Sequence, residues 1–235
     1  MGHAAARPRR LTRSAALRLG RVSNLPTVWT NALAGVVLAG GEPAGAGFAV
    51  LVAGLSLSYV AGMYLNDWFD RGFDARRQPW RPIPAGEAGE GVVLAAGLLL
   101  LAAGWALVAS LGWKAAVAGA ALAAAILLYD AWHKGNPAGP AIMGLCRALV
   151  YVTAGLAAAG ALSAPVLAGA ALMLGYVVAL TVAAKRGWGG IGPMIAGICM
   201  LDGLLVMLAG APWLALPCAA GFLLTLALQR HVPGT

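Results

Sequence analysis

Residues 66–86 read NDWFDRGFDARRQPWRPIPAG and bring three of the chain's eight acidic residues together with four arginines. Asp67, Asp70 and Asp74 are spaced i, i+3, i+7, which puts them on one face of a helix, with Asn66 one turn before Asp70. Three carboxylates stacked in this way repel one another unless a cation lies between them. Oxygen donors such as Asn66, Asp67, Asp70 and Asp74 suit Mg²⁺, which keeps several waters and binds through a few carboxylates together with substrate phosphates. Arg71, Arg76, Arg77 and Arg81 follow at once. Guanidinium groups meet phosphate oxygens through a planar fork of donors. Pro79, Pro82 and Pro84 then force a stiff, irregular loop. The chemistry this predicts is Mg²⁺-bridged binding of a diphosphate. The plain alternative is a solvated loop of mixed charge, which a chain so poor in acids makes the weaker reading.

The elements that must position these groups are membrane helices. The chain has 235 residues, 61% hydrophobic and only 10% charged, where soluble domains carry about a quarter charged residues. Eight apolar runs of spanning length are predicted, roughly 24–41, 46–65, 91–111, 113–130, 139–161, 164–183, 190–209 and 211–229. With the N-terminus cytoplasmic, the inside segments hold 14 of the 16 Lys and Arg residues, the positive-inside pattern. The even helix count returns the C-terminus to the same side. The expected organisation is a basic cytoplasmic leader at 1–23, a transmembrane domain at 24–230 and a short tail at 231–235. Within the leader, "PRRL" loosely resembles a twin-arginine signal, but a basic segment held near anionic headgroups fits better, since seven more spans follow. The +8 net charge is explained by topology, and there is no nucleic-acid motif. Cys146, Cys199 and Cys218 fall in predicted spans as inert thiols, and the three histidines are scattered, so a zinc site is not expected.

The predicted outside turns are minimal, while the inside loops carry the polar chemistry. Two follow the first: "YDAWHKGNPAG" (Tyr129–Gly139) and "AAKRGWGG" (Ala183–Gly190). Asp130 ends the fourth span beside Lys134, either as a site residue or as a local ion pair. Asp202 lies near the middle of the seventh span, and a carboxylate there is a functional candidate by default. Its obvious intramembrane partner is Arg147 in the fifth span, reached through the long arginine side chain. Asn24 and Asn31 could each meet a substrate or bond between helices. Tyr59 and the other tyrosines could face a carbocation or simply pack.

A diphosphate site on a chain otherwise built for lipid fits a substrate with a diphosphate head and a hydrocarbon tail, an isoprenoid diphosphate. The stretch NDxxDxxxD followed by arginines and Arg81-Pro82…Pro84…Gly86 resembles the first aspartate-rich motif of the UbiA superfamily of intramembrane prenyltransferases. "RVSNLPTVWTNALAG" (Arg21–Gly35), "YDAWHK" (Tyr129–Lys134) and "MGLCRALVYVTAG" (Met143–Gly155) are similar to further segments of that family, and the shortness of the chain is similar to its EboC-like branch. The resemblance implies an all-helical bundle around a central cavity, and the placement of Lys and Arg puts its expected active face on the cytoplasmic side of the cell membrane. The resemblance also implies a Mg²⁺-dependent transfer of a prenyl chain from a polyprenyl diphosphate to an acceptor that the sequence does not identify. On this reading Asp67, Asp70, Asp74, Arg147 and Tyr129 are catalytic. Asn66, Arg71, Arg77, Arg81, Asp130, Lys134, Lys185 and Arg186 bind substrate. The alternatives are a membrane terpene cyclase, or a lipid-binding or transport protein that has lost catalysis. The chain departs from the family in two ways. It has eight predicted spans where nine are usual, and "AAKRGWGG" stands where a second aspartate motif is expected. Lys185 and Arg186 are then expected to bind the diphosphate directly in place of a second Mg²⁺.

Overall fold

A computed structural model describes residues 11–234, and these contain helices and no strand. α1 (Arg13–Leu19) and a short 3-10 turn lead into α2 (Leu25–Leu38), α3 (Gly45–Arg77), α4 (Glu90–Ala109) and α5 (Trp113–Trp132). α6 (Gly139–Ala159), α7 (Ala164–Lys185), α8 (Ile191–Leu208) and α9 (Ala215–Gln229) follow, the last entered through a 3-10 turn at Pro212–Leu214. α2 to α9 match the eight predicted apolar runs in order. Among the described residues, seven helices are long and apolar enough to cross a membrane.

The exception is α2, whose 14 residues rise about 21 Å at ~1.5 Å per residue, short of a hydrocarbon core about 30 Å thick. Its position explains the difference. α2 is the central helix, packed against α3, α6, α7, α8 and α9, with Asn31, Ala32 and Ala34 wholly buried. A helix cased in protein need not match the bilayer. The outer helices do face lipid, and they leave Leu99, Leu208 and Leu216 largely exposed.

Local chemistry sets the helix ends. Pro26, Pro140 and Pro165 sit in the first turns of α2, α6 and α7, where a missing N–H leaves no bond unmade. The Ser163 hydroxyl accepts from the Val166 N–H at the start of α7. Close backbone approach then holds the bundle, since lipid gives helices little apolar reason to associate. Where α3 meets α4, a Cβ on Gly104 would lie 2.6 Å from Ser58 Oγ and 2.7 Å from the Gly54 carbonyl oxygen.

Two segments differ from expectation. The aspartate stretch is not a loop: α3 runs unbroken through it to Arg77. At 33 residues this helix is about 50 Å long, so its last turns reach past the hydrocarbon while remaining helical. Only 78–89 is irregular, where the prolines end the helix and the chain folds back through turn bonds such as Ala85 N–H to the Arg81 carbonyl. The leader also does more than lie near headgroups. Its first ten residues fall outside the described ones, but α1 docks on α3: the Tyr64 hydroxyl donates to the Ala16 carbonyl at 3.1 Å. Leu19 is buried beside Tyr64, Ile83 and Val93, and Arg18 pairs with Glu87 at 2.9 Å.

Candidate active site

The last turns of α3 present Asp67, Asp70 and Asp74 on one buried face, as the i, i+3, i+7 spacing requires. Each carboxylate is met by side-chain cations. Arg81, returned over α3 by the folded-back loop, places Nη1 2.7 Å from Asp67 Oδ1 and Nε 3.7 Å from Asp74 Oδ2. Arg21 reaches the same motif from the junction of α1 and α2, with Nη2 3.2 Å from Asp67 Oδ1 and 3.4 Å from Asn66 Oδ1. Its backbone is left-handed, φ 42°, uncommon for a non-glycine residue and found where surroundings impose it. Asp70 points the other way. Lys134 Nζ is 3.0 Å and His133 Nε2 3.4 Å from its Oδ2. Asn66 Nδ2 donates to Asp130 Oδ1 at 3.2 Å.

The donor set fits a hard divalent cation. Asp74 Oδ2 and Asp130 Oδ2 are buried with no hydrogen-bond donor, and carboxylate and amide oxygens supply the ligands. No three acidic, His or Cys side chains among the described residues already converge on one point. Mg²⁺ needs no such cage, because it is held by one or two carboxylates, waters and phosphate oxygens.

Two chambers meet at this site. The larger, about 780 Å³, has a mixed lining: apolar side chains such as Val177, Leu180, Ile195 and Ile198 share it with Asn66, Asp70, Arg81, Lys134, Arg147 and Lys185, and only these last make it the polar chamber. The smaller, about 80 Å³, runs between apolar walls that include Leu55, Leu122, Ile126 and Val150. Tyr59, Met63, Tyr129, Met143 and Arg147 line both, so they form the junction. There Tyr129 stacks on His133 with ring centroids 4.6 Å apart. Arg147 lies 5.5 Å over the Tyr59 ring and donates from Nη1 to Asn31 Oδ1 at 3.0 Å.

The structure thus brings Asn66, Asp70, Arg81, Tyr129, Asp130, Lys134, Arg147 and Lys185 to the chambers, with Asp67 and Asp74 directly behind them. It does not bring Arg71, Arg77 or Arg186. Arg71 turns outward to Glu90 at 3.2 Å and covers the Trp68 ring. Arg77 and Arg186 are exposed and line neither chamber. Two expected pairs are also corrected. Lys134 reaches Asp70 on α3, not Asp130 on its own helix end. Asp202 does not touch Arg147 directly; Asn31 lies between them. Sequence reasoning missed Arg21 and His133. Both lie inside quoted segments, Arg21 at the head of "RVSNLPTVWTNALAG" and His133 inside "YDAWHK", but nothing in their local spacing marks them.

Comparison with known proteins agrees with the fold. The chain is 32% identical over 133 residues to digeranylgeranylglyceryl phosphate synthase of Natronomonas pharaonis, a match covering 56% of this chain and 48% of that protein. It is 39% identical over 99 residues to 4-hydroxybenzoate octaprenyltransferase of Cupriavidus necator, covering 40% of this chain and 33% of that one. The matched region therefore spans less than half of either relative. A structure of a digeranylgeranylglyceryl phosphate synthase shares the fold with TM-score 0.64 at 16% identity, over 93% of this chain and 94% of that one. A UbiA homologue of Archaeoglobus fulgidus, solved with GPP and Mg²⁺, shares it with TM-score 0.58 at 17% identity, over 92% and 87%. The pattern of the UbiA prenyltransferase family matches residues 27–233, and the chain belongs to that family.

Proposed function

We propose that this protein is a Mg²⁺-dependent prenyltransferase that moves an isoprenoid chain from a prenyl diphosphate to a small acceptor. The observation that carries the reading is the junction: a buried carboxylate–arginine cluster opens on a chamber that carries cationic groups on an otherwise largely apolar lining, and that chamber shares its wall with a smaller apolar one. The head of a prenyl diphosphate suits the first and its tail the second. The same ligand classes stand in the Archaeoglobus homologue solved with GPP and Mg²⁺.

Asn66, Asp67, Asp70, Asp74 and Asp130 are the residues that would hold Mg²⁺. When bound, the ion would neutralise charge on the diphosphate as it departs. The remaining work falls to side chains. Arg81, Lys134, Arg147 and Lys185 line the polar chamber and hold the phosphate oxygens in place as the bond from the allylic carbon to the diphosphate oxygen breaks, its electron pair leaving with the diphosphate. Tyr59 and Tyr129 line the junction where the allylic cation would form, and an aromatic ring there would stabilise it through a face left free by Arg147 and His133. The apolar wall keeps water from that cation. The acceptor's electron pair then forms the new bond to the allylic carbon, and its proton passes to the released diphosphate. The placement of basic residues favours a cell-membrane protein whose chambers open to the cytoplasm.

The test is a titration of the purified protein in nanodiscs with geranylgeranyl diphosphate, with and without Mg²⁺. Wild type should bind in a Mg²⁺-dependent way and Asp70→Asn should not. Binding indifferent to both metal and mutation would reject the proposal.

A further inference from the structure

Asp202 sits in the middle of α8, wholly buried, and lines neither chamber. A carboxylate at that depth is costly unless donors surround it, and here three neighbours do so. The Thr30 hydroxyl donates to Oδ2 at 2.5 Å. The Asn31 amide donates to both oxygens, at 2.9 and 2.8 Å. The Tyr151 hydroxyl donates to Oδ1. The cluster therefore ties α2, α6 and α8 together around one charge.

Asn31 matters because its amide has two unlike ends. A carboxylate only accepts, so Asp202 draws the NH₂ group toward itself and turns Oδ1 the other way. That oxygen receives Arg147 Nη1 at 3.0 Å. In the opposite orientation Asn31 would offer N–H groups to a guanidinium, which has no acceptor. Asp130, whose Oδ2 is buried without a donor, borders the same apolar chamber as Arg147. An untethered arginine would have an acid there to turn to.

We infer that Asp202 is a positioning residue: through Asn31 it holds the Arg147 guanidinium at the junction of the two chambers, where the substrate's diphosphate meets its tail. The inference rests on the prenyl-diphosphate reading of the site. It assigns Asp202 no contact with substrate and no proton transfer.

The experiment measures the affinity for geranylgeranyl diphosphate with Mg²⁺, together with the melting temperature, for four variants in nanodiscs. Arg147→Met removes the guanidinium itself, and Asp202→Asn and Asn31→Ala each remove its orientation. Each should weaken binding about tenfold, the worth of one charge-assisted hydrogen bond. The double exchange Asn31→Asp with Asp202→Asn should return affinity to within about threefold of wild type. The exchange moves the carboxylate to α2 and the amide to α8. One oxygen of the relocated carboxylate receives Arg147 and the other receives the relocated NH₂ group, while the amide carbonyl on α8 takes the Oδ1 place and accepts from Tyr151; the NH₂ in the Oδ2 place donates to Thr30, whose hydroxyl turns its proton to the Thr27 carbonyl 3.3 Å away. Rescue by exchange is not expected of a residue that only stabilises the fold. If Asp202→Asn does not fold, Asn31→Ala and the exchange carry the test. A wild type that does not bind, or an Arg147→Met variant that binds normally, would overturn the site reading and this inference with it. A weakened Arg147→Met beside Asn31→Ala and Asp202→Asn variants that bind as wild type does, or an exchange that fails to rescue, would overturn the inference alone.

Discussion

Arg81→Met tests whether arginines hold the aspartate motif in shape until a divalent cation takes their place. Arg81 bridges Asp67 and Asp74 at 2.7 and 3.7 Å, and its side chain is only 18% exposed against 6% and 2% for the acids. Methionine keeps most of the length and loses the charge. Asp67 then retains Arg21 at 3.2 Å, but Asp74 keeps a buried oxygen that already lacks a donor. Removing one partner of a buried ion pair costs about 3–5 kcal/mol. Because Arg21 remains, the lower end applies, about 3 kcal/mol. In a chain of this size each kcal/mol moves Tm by about 2–4 °C, so Tm should fall by about 6–12 °C in EDTA. Mg²⁺ should then return most of the loss, because it places positive charge between the same carboxylates. Wild type should gain less from Mg²⁺, since Arg81 competes for the site. Differential scanning fluorimetry in detergent, with EDTA and with Mg²⁺, reads all four values. Equal melting in EDTA, or Mg²⁺ shifts of the same size in both proteins, would refute the reasoning.

Three further outcomes are expected. Gly104→Ala should destabilise by about 1–3 kcal/mol through overpacking, because its Cβ would meet the Gly54 carbonyl at 2.7 Å. Gly72→Ala, in the same bundle but with open space around its Cβ, should instead stabilise by up to about 1 kcal/mol through helix propensity; denaturation of both that moves Tm in the same direction would reject the packing account. Lys185→Ala should weaken geranylgeranyl diphosphate binding about tenfold, while Arg186→Ala, exposed and outside the chamber, should change it little, and equal losses in isothermal titration would remove the distinction. Lys114→Cys should react with a membrane-impermeant maleimide in intact cells, and labelling only after lysis would invert the proposed orientation.

What could be read from sequence was what depends on short spacing. The apolar runs follow from length and composition. The shared face of Asp67, Asp70 and Asp74 follows from helical geometry alone, and the same reasoning holds although α3 runs on to Arg77, well past its apolar run. What could not be read depends on tertiary return. Arg21 reaches Asp67 across 46 residues, and only through a left-handed backbone at Arg21 itself. The Asn31–Asp202 bond joins residues 171 apart, so Asp202 and Arg147 looked like a direct pair when an amide separates them. Arg71 errs in the opposite sense: it stands next to Asp70 in sequence, but successive helical residues point about 100° apart, and it faces away.

The loop after α7 shows how structure narrows a question that sequence left open. Its lack of acids fits either direct binding of diphosphate by basic residues or loss of catalysis. Arg81, Lys134, Arg147 and Lys185 all border the polar chamber, while Asp70 is the only carboxylate among the described residues that does so. Arg81 and Lys134 have their counter-charge behind them in Asp67, Asp74 and Asp70, whereas among the described residues Lys185 meets the Asn136 carbonyl and Arg147 the Asn31 Oδ1, with no acid in contact, and cations so placed are costly to fold. A degenerate protein would have no use for them, and substitution would relieve the strain. A multiply charged anion entering the chamber would supply counter-charge to these two cations. Arg147 and Lys185, the two chamber cations without an acid in contact, therefore favour a protein that binds a diphosphate over one that has lost its substrate.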